Sequence, residues 1–417
     1  MNKETLAIHG GYEKDSQRTM AVPIYQTTAY EFRDVEHAGN LFELKELGNI
    51  YTRLTNPTNE IFEKRVALLE NGMSGLATGS GMSAITYAVL NLIEAGGNIV
   101  ASSKLYGGTI TLFTQTLKRF GISVKFFDKP EEIENLIDDK TGVIFFESLS
   151  NPSIDVANID EVVKVADKHG IVTVVDNTVA TPVLCNPISF GADIVVHSAS
   201  KYMTGQGLAI GGVIVDSEKS NKKLIGNSRY PQFNTPEESY HGFVFANVPT
   251  MPIFNLRVRI ILLRDMGSAL SPFNSWLFIQ GLETISLRVE KHSQNALEIA
   301  KFLETHPAVK SVNYPKLENS KQFDLAEKYL SKGGSGLLSF EVESFEKAKE
   351  VIEKTEIFSL VANIGDSKSI ITHPASTTHQ QLSAEELEKA GISKSLIRLS
   401  VGLENVEDLI ADLKKAL

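Results

Sequence analysis

A lysine stands where a buried-looking strand meets a glycine-rich turn. In the stretch GADIVVHSASKYMTGQG, Lys201 follows the apolar residues 194–196 and precedes Gly205 and Gly207. Most lysines are solvated, so a loop lysine that merely follows a strand is the ordinary alternative. Crowding at the end of a buried strand would instead favour the neutral amine. A neutral amine can act as a nucleophile or as a base.

Further polar residues follow the neighbouring candidate strands. Asn151 comes after the run GVIFFE, Asp176 ends the run IVTVVD, and Ser198 and Ser200 precede Lys201. Open parallel sheets bind ligands beyond the carboxyl ends of their strands, so these residues are expected at one sheet edge. A salt bridge would explain a lysine beside a carboxylate as well as a functional pair does.

A glycine-rich turn precedes a helix with apolar residues at helical spacing. Gly79, Ser80 and Gly81 come immediately before Met82, where the apolar pattern begins. Such a turn leaves backbone N–H groups at the positive end of a helix, which suits a phosphate, although tight packing alone also explains the glycines. No Gly-Lys-Ser/Thr follows, and the second glycine cluster leads into a strand, so nucleotide and dinucleotide motifs are not indicated.

A reactive lysine, a carboxylate and a phosphate site at one sheet edge are the three protein groups that pyridoxal phosphate requires. The lysine bonds covalently to the cofactor aldehyde. The carboxylate keeps the pyridine nitrogen protonated, so that the ring accepts electrons from a carbanion. The pattern therefore predicts a pyridoxal-phosphate site that contains Lys201 and Asp176.

Alternating strands and helices must position these residues. Continuously apolar runs predict a parallel sheet covered by helices, with strands at 98–102, 123–127, 142–147, 171–176, 193–197 and 211–216. We expect an arm over residues 1–55, this α/β domain over 56–255, and a smaller α+β domain over 256–417. The last contains a long helix from about 282 and two strands with one wet face, within 336–344 and 395–404.

Length and composition restrict the class of protein. A chain of 417 residues fits two hydrophobic cores, and 42% hydrophobic with 22% charged residues is typical of soluble globular proteins. A formal charge of −10 without a basic cluster argues against nucleic acid. With one cysteine, Cys185, and neither a membrane-spanning run nor the apolar core of a signal peptide, a cytoplasmic protein is expected. The histidines lack a metal-binding pattern, so no metal is expected.

Ordered motifs along nearly the whole chain resemble the Cys/Met-metabolism pyridoxal-phosphate enzymes of fold type I. They are YTRLTNPTN, GSGMSAI, LYGGT, NPS, VDNT, HSASKY, SPFNSWLFIQGLETISLR and RLSVGLE. The resemblance implies a large, mostly parallel-sheet domain with helices on both faces and a smaller C-terminal α+β domain. Within the family, residues 240–242, residues 362–379 and about 30 residues after Asp216 are most similar to the O-acetylhomoserine sulfhydrylase branch.

The resemblance implies a role for each matching residue. Lys201 would bind the cofactor, Asp176 would contact its ring nitrogen, and Tyr106 would stack on the ring and take part in proton transfer. The phosphate site would consist of Ser80, Gly81, Met82, Ser198 and Ser200, where Ser200 replaces the threonine more common in the family. The substrate site would consist of Arg398, Asn151 and Asn363; the planar guanidinium of Arg398 can meet a carboxylate through two hydrogen bonds.

The resemblance also implies an assembly. Tyr51 and Arg53, on the arm, would reach the phosphate of a neighbouring subunit. We therefore expect active dimers, assembled into a homotetramer.

The implied reaction replaces the γ-substituent of O-acetyl-L-homoserine with sulfide or methanethiol, releasing acetate. Cystathionine γ-synthase and methionine or cystathionine γ-lyase are alternatives that share the cofactor residues. Gly108 stands where methionine γ-lyases carry a reactive cysteine, which disfavours the lyase. A non-catalytic carrier of the cofactor would keep Lys201 and Asp176 but would not need Arg398.

Overall fold

The computed structural model describes the chain from Met1 to Leu417 except residues 382, 384, 386, 388 and 389. Its strands form a seven-stranded sheet and a five-stranded sheet. The strands are β1 (Ser74–Thr78), β2 (Asn98–Ser102), β3 (Ser123–Phe127), β4 (Thr141–Glu147), β5 (Val172–Asp176), β6 (Ile194–Ser198), β7 (Gly212–Asp216), β8 (Ser311–Asn313), β9 (Leu337–Glu341), β10 (Ser359–Leu360), β11 (Ile370–Thr372) and β12 (Leu396–Ser400).

The α-helices of the described residues alternate with strands in the first two thirds of the chain. They are α1 (Lys3–His9), α2 (Val35–Phe42), α3 (Pro57–Leu69), α4 (Gly81–Leu90), α5 (Gly107–Thr111), α6 (Ile133–Leu136), α7 (Ile159–Lys168), α8 (Thr181–Leu184), α9 (Glu218–Leu224), α10 (Pro231–Asn234), α11 (Ile253–Arg257), α12 (Arg264–Met266), α13 (Pro272–Glu283), α14 (Ile285–Glu304), α15 (Phe323–Tyr329), α16 (Phe345–Lys354) and α17 (Val406–Ala416). π-helical turns extend α5 over Leu112–Thr116 and join α11 to α12 over Val258–Leu263. No helix within the described part of the chain is long and apolar enough to span a bilayer.

The large sheet has the order β1-β7-β6-β5-β4-β2-β3 and is parallel except for β7, which runs antiparallel to both of its neighbours. All seven residues of β4 are buried, as are the apolar residues of β5 and β6. Burial on both faces is the property that the continuous apolar runs predicted. The prediction of a mostly parallel sheet covered by helices is confirmed.

The crossover helix α7 lies where the sequence predicted it. Its buried side chains are Ile159, Val162, Val163 and Ala166, which recur at helical spacing. It ends at Lys168, and Gly170 then adopts a φ of 61° before β5 begins. The unit β4–α7–β5 carries the chain from one strand to its parallel neighbour.

The small sheet has the order β10-β11-β12-β9-β8, and α14, α16 and α17 pack against it. The prediction of one wet face on β12 is wrong, because all five residues of this strand are buried. Ile397 and Leu399 enter the small core, while Arg398 and Ser400 contact the loop around Asn363 and Gly365. The polar face of β12 therefore lines an internal site and not the surface.

Residues 1–55 contain two helices, so this segment is not wholly extended. Ala7 of α1 is buried against the large core, and Asp34 caps α2 through the N–H of His37. The long predicted helix corresponds to α14, which begins at Ile285 after a break at Thr284. The division of the chain after residues 55 and 255 stays a prediction.

Candidate active site

A cavity of about 300 Å³ lies at the carboxyl edge of the large sheet, where the small sheet meets it. It brings together most of the predicted site residues: Ser80, Gly81, Met82, Tyr106, Asn151, Asp176, Ser198, Ser200, Lys201, Asn363 and Arg398. Tyr51 and Arg53 do not line it; both are exposed, and the Arg53 guanidinium lies 5.6 Å from the centre of the Tyr51 ring.

Lys201 follows β6 in a turn that directs its amine into the cavity. Its Nζ donates a hydrogen bond of 2.8 Å to Oδ1 of Asn363. Burial, and then the positive charge of Arg398, lower the pKa of the Lys201 amine. Both causes favour the neutral amine, which is the form that can attack an aldehyde or accept a proton.

Arg398 projects from the middle of β12 and is 2% exposed. Its guanidinium donates to Oδ1 of Asn151 at 3.0 Å, to the carbonyl of Asn363 at 3.0 Å and to Oγ1 of Thr372 at 3.2 Å. Its Nε is buried and has no hydrogen-bond partner among the described residues. Burial lowers the pKa of Arg398 to about 10, so the group remains cationic at neutral pH.

Asp176 is the last residue of β5 and points into the cavity. Its Oδ1 accepts a hydrogen bond of 2.9 Å from the backbone N–H of Thr178. Burial raises the pKa of Asp176, while the hydrogen bonds from Thr178 and the nearby His197 lower it. Thr178 also accepts from the backbone N–H of Ser198 at 2.8 Å, and thus ties the ends of β5 and β6 together.

The start of α4 makes a close approach to the end of β6. Ser80 caps α4 by accepting a hydrogen bond from the N–H of Ser83. A Cβ on Gly81 would lie 2.6 Å from Cβ of Ser198, so only glycine fits. The first N–H groups of the helix have no partner within it and lie at its positive end. Ser200 also lines the cavity, and its hydroxyl bonds to the backbone of Gly211.

Three polar residues that line the cavity were not found from the sequence. Thr178 follows Asp176 in the motif VDNT, Glu147 ends the run GVIFFE, and Thr378 precedes His379. The sequence does contain a signal for Glu147, because it is a charged residue that directly follows the apolar run GVIFF. The carboxyl group of Glu147 accepts the N–H of Tyr106 at 2.6 Å and that of Asn151 at 3.1 Å.

Comparisons with known proteins match this site over the whole chain. A profile of the Cys/Met metabolism PLP-dependent enzymes matches residues 4–417. The chain is 49% identical to the O-acetyl-L-homoserine sulfhydrylase of Leptospira meyeri, over 99% of this chain and 96% of that protein. It is 46% identical to the homocysteine synthase of Schizosaccharomyces pombe, over 99% and 97% of the two chains.

Two solved structures share the fold. A Campylobacter jejuni protein assigned as an O-acetylhomoserine (thiol)-lyase superposes with a TM-score of 0.98 at 52% identity, covering 100% of this chain and 99% of that one; it contains a pyridoxyl-lysine phosphate. The cystathionine γ-lyase of Lactobacillus plantarum superposes with a TM-score of 0.85 at 30% identity, covering 100% and 98%.

This chain belongs to the Cys/Met-metabolism family of PLP-dependent enzymes. The residues of the cavity fit the cofactor of this family. Lys201 would supply the amine, Asp176 would supply a carboxylate for the ring nitrogen, and the positive end of α4, next to Gly81, would hold the phosphate. Among the described residues, no group of histidine, cysteine or acidic side chains could hold a metal ion.

Proposed function

We propose that this family member converts O-acetyl-L-homoserine and sulfide to homocysteine and acetate, and that methanethiol in place of sulfide gives methionine. The observation that carries the proposal is Asn363, which bonds to Lys201 through its side chain and to Arg398 through its carbonyl. Asn363 therefore bridges Lys201, a candidate base, and Arg398, a candidate carboxylate-binding group. The names of the relatives from Leptospira meyeri and Schizosaccharomyces pombe support the same substrate and product.

Arg398 orients the substrate. The Nε of Arg398, which has no hydrogen-bond partner among the described residues, can donate to the α-carboxylate of the substrate. The carboxylate would also be the counter-charge for the buried guanidinium. Asn151 holds the opposite side of the guanidinium, so the group keeps a fixed plane. Binding of the carboxylate at this position fixes which bond at the α-carbon faces Lys201.

Lys201 moves the protons. When bound, pyridoxal phosphate supplies a ring that stabilises negative charge on the carbon next to the substrate amine. The Lys201 amine, released by the substrate amine, takes the α-proton and then assists loss of a β-proton, after which acetate leaves from the γ-carbon. Sulfide forms the new bond at that γ-carbon, and Lys201 returns one proton to the β-carbon and one to the α-carbon. Tyr106, at the cavity wall, is placed to take part in these transfers.

Gly108 favours replacement over γ-elimination. A Cβ at this position would lie 2.5 Å from Cε1 of Tyr106, so the tyrosine ring occupies the space that a cysteine side chain would need. The γ-lyase alternative, which the resemblance associates with a cysteine here, would therefore require Tyr106 to move.

A competition assay tests the reaction. The enzyme, O-acetyl-L-homoserine, sulfide, methanethiol and cysteine are combined, and products are identified by mass. We expect acetate with homocysteine and methionine, and cysteine as a poor acceptor. Preferential formation of cystathionine would indicate the synthase instead. Conversion of methionine to 2-oxobutyrate, ammonia and methanethiol without added thiol would indicate the lyase.

We further propose a cytoplasmic homotetramer built from active dimers, without nucleic acid or membrane partners. Exposed apolar side chains near the cavity support an interface: Ile210, which lines it, is 66% exposed, and Leu208 is 57% exposed. Tyr51 and Arg53, exposed on their own chain, are free to complete the phosphate site of a neighbour.

A further inference from the structure

Glu147 is a buried carboxyl group at the boundary between the cofactor side and the substrate side of the cavity. It ends β4, pairs in register with Asp176 of β5, and is 6% exposed. Its two oxygens each accept one backbone N–H, Oε1 from Tyr106 and Oε2 from Asn151. These two residues lie in different loops, separated in sequence by more than a strand.

We propose that Glu147 is a positioning residue, which clamps the loops of Tyr106 and Asn151 so that the aromatic wall and the carboxylate-binding arginine keep their places. The roles of those two residues rest on the proposed function. The clamp itself rests on the two hydrogen bonds and on the burial of the group that makes them.

The Tyr106 half of the clamp fixes the start of α5. Tyr106 is the N-cap residue of this helix, and its side chain makes no capping hydrogen bond. The hydrogen bond from its backbone N–H to Glu147 attaches the start of the helix to the end of β4. The ring lies over Gly108, where an added Cβ would come within 2.5 Å of Cε1 of Tyr106. A shift of the Tyr106 backbone would therefore move the ring relative to the cofactor.

The Asn151 half of the clamp extends to the substrate side. Asn151 receives Arg398 on its side-chain oxygen and gives its N–H to Glu147. Glu147 thereby reaches Arg398 through one intermediate residue. Loss of the backbone bond would loosen the amide that holds the guanidinium plane.

Burial, and then the negative charge of Asp176, raise the pKa of the Glu147 carboxyl group, while the N–H groups of Tyr106 and Asn151 lower it. Each oxygen can accept one of these N–H groups at full strength only in the ionised form, so the geometry requires a carboxylate of this length. In Glu147→Gln, the amide oxygen accepts one N–H while the amide nitrogen faces the other, which leaves a buried donor unpaired. Glu147→Asp keeps the charge but is one methylene shorter, so it cannot span the same two N–H groups. The two variants separate position from charge: a role that depended only on charge would survive in Glu147→Asp.

The experiment measures four quantities for each variant. They are the dissociation constant of pyridoxal phosphate from the apo-protein, KM and kcat for O-acetyl-L-homoserine, and the melting temperature. For both Glu147 variants we expect the dissociation constant and KM to rise about tenfold, the size of one lost bond to a charged group, with a smaller change in kcat. Should Glu147→Gln fail to fold, Glu147→Asp carries the test.

Asp216→Asn is the matched control. Asp216 is also a fully buried carboxylate that accepts two backbone N–H groups, from Ser74 and Asn255, but it lies at the opposite edge of the same sheet. The Asp216→Asn variant should have a changed melting temperature but the KM and cofactor affinity of the wild type. Equal kinetic effects in the control would reduce Glu147 to a structural residue.

A double-mutant cycle tests the route through Asn151. If Glu147 acts through Asn151, the KM effects of Glu147→Gln and Asn151→Ala are less than additive. Fully additive effects, or a wild-type KM and cofactor affinity in Glu147→Asp, would overturn the proposal. Cofactor affinity is measured without substrate, so this measurement tests the role of Glu147 even if the wild-type enzyme releases no acetate. Absence of acetate release from the wild type would contradict the proposed function and not the role of Glu147.

Discussion

At the scale of single residues, the cavity contains two basic side chains whose described side-chain partners are neutral. Lys201 bonds to the amide of Asn363, and Arg398 bonds to the amide of Asn151 and the hydroxyl of Thr372. A buried charge without a counter-charge costs stability, typically several kcal/mol. The cost is acceptable where an anionic ligand supplies the missing charge, which the α-carboxylate and the phosphate would do.

Arg398→Lys should lose most of the activity. Lysine keeps the charge but cannot reproduce two parallel hydrogen bonds to a carboxylate, each worth roughly 1.5 to 3 kcal/mol. We expect kcat/KM to fall by about 10- to 100-fold, mainly through KM. Arg65→Lys is the control, since Arg65 is equally buried but contacts Gly10 and Glu283 away from the cavity. A wild-type KM for Arg398→Lys would contradict the assignment.

At the scale of elements, the sequence predicted the strands of the large sheet where apolar runs are continuous and missed β1, where they are not; it also missed the short strands β8, β10 and β11 of the small sheet. The six predicted strands correspond to β2 through β7, within one residue at either end. The strand β1 has the sequence SGLAT, in which small residues pack under α3 without giving an apolar signal. The antiparallel direction of β7 depends on its pairing between β1 and β6, which periodicity does not encode.

The error on β12 has a physical cause. Alternation of apolar and polar residues indicates that the two faces of a strand differ, but water and a polar cavity produce the same pattern. Arg398 lines the cavity and Ser400 accepts the N–H of Gly365, so neither of these buried polar residues faces the solvent. Only the contact between the two sheets distinguishes these cases. The family resemblance, not the periodicity, assigned Arg398 to the site.

Gly81→Ala should weaken cofactor binding although alanine is the better helix former. The added Cβ would meet Ser198 at 2.6 Å and force α4 away from β6. Gly39→Ala in α2 has the same gain in helix propensity, about 1 kcal/mol, and meets no atom within 4 Å. We expect a higher dissociation constant for pyridoxal phosphate in Gly81→Ala only. A stabilised Gly81→Ala with unchanged cofactor affinity would show that the close approach is not required.

At the scale of the whole molecule, one buried carboxyl group affects how stability depends on pH. Burial raises the pKa of Asp216 to about 6. Because the folded protein holds this proton more tightly than the unfolded chain, the group favours folding fully below pH 4, and that contribution is lost as pH rises through 6. A difference of about two units between the pKa values of Asp216 in the folded and unfolded protein corresponds to a contribution of at most about 3 kcal/mol to the free energy of unfolding.

The Asp216→Asn variant should lose this part of the pH dependence. Its free energy of unfolding, measured by denaturant titration at pH 5 and pH 7.5, should fall less with rising pH than that of the wild type. Other carboxyl groups titrate in both proteins and cancel in the comparison. Parallel curves for the two proteins would mean that Asp216 ionises at an ordinary pH.

The last property of the whole molecule is its assembly, since Tyr51 and Arg53 lie outside the cavity of their own chain. Mixing two inactive variants tests the predicted contact. In a heterodimer of an Arg53→Ala chain with a Lys201→Ala chain, the site with Lys201 receives an intact arm from its partner. Random mixing in equal amounts should then restore about a quarter of wild-type activity, because half of the dimers carry one intact site of two.

The unmixed Lys201→Ala protein must lack the visible absorbance of lysine-bound cofactor. No recovery, despite exchange shown by a mass tag on one chain, would place Arg53 in its own subunit's site.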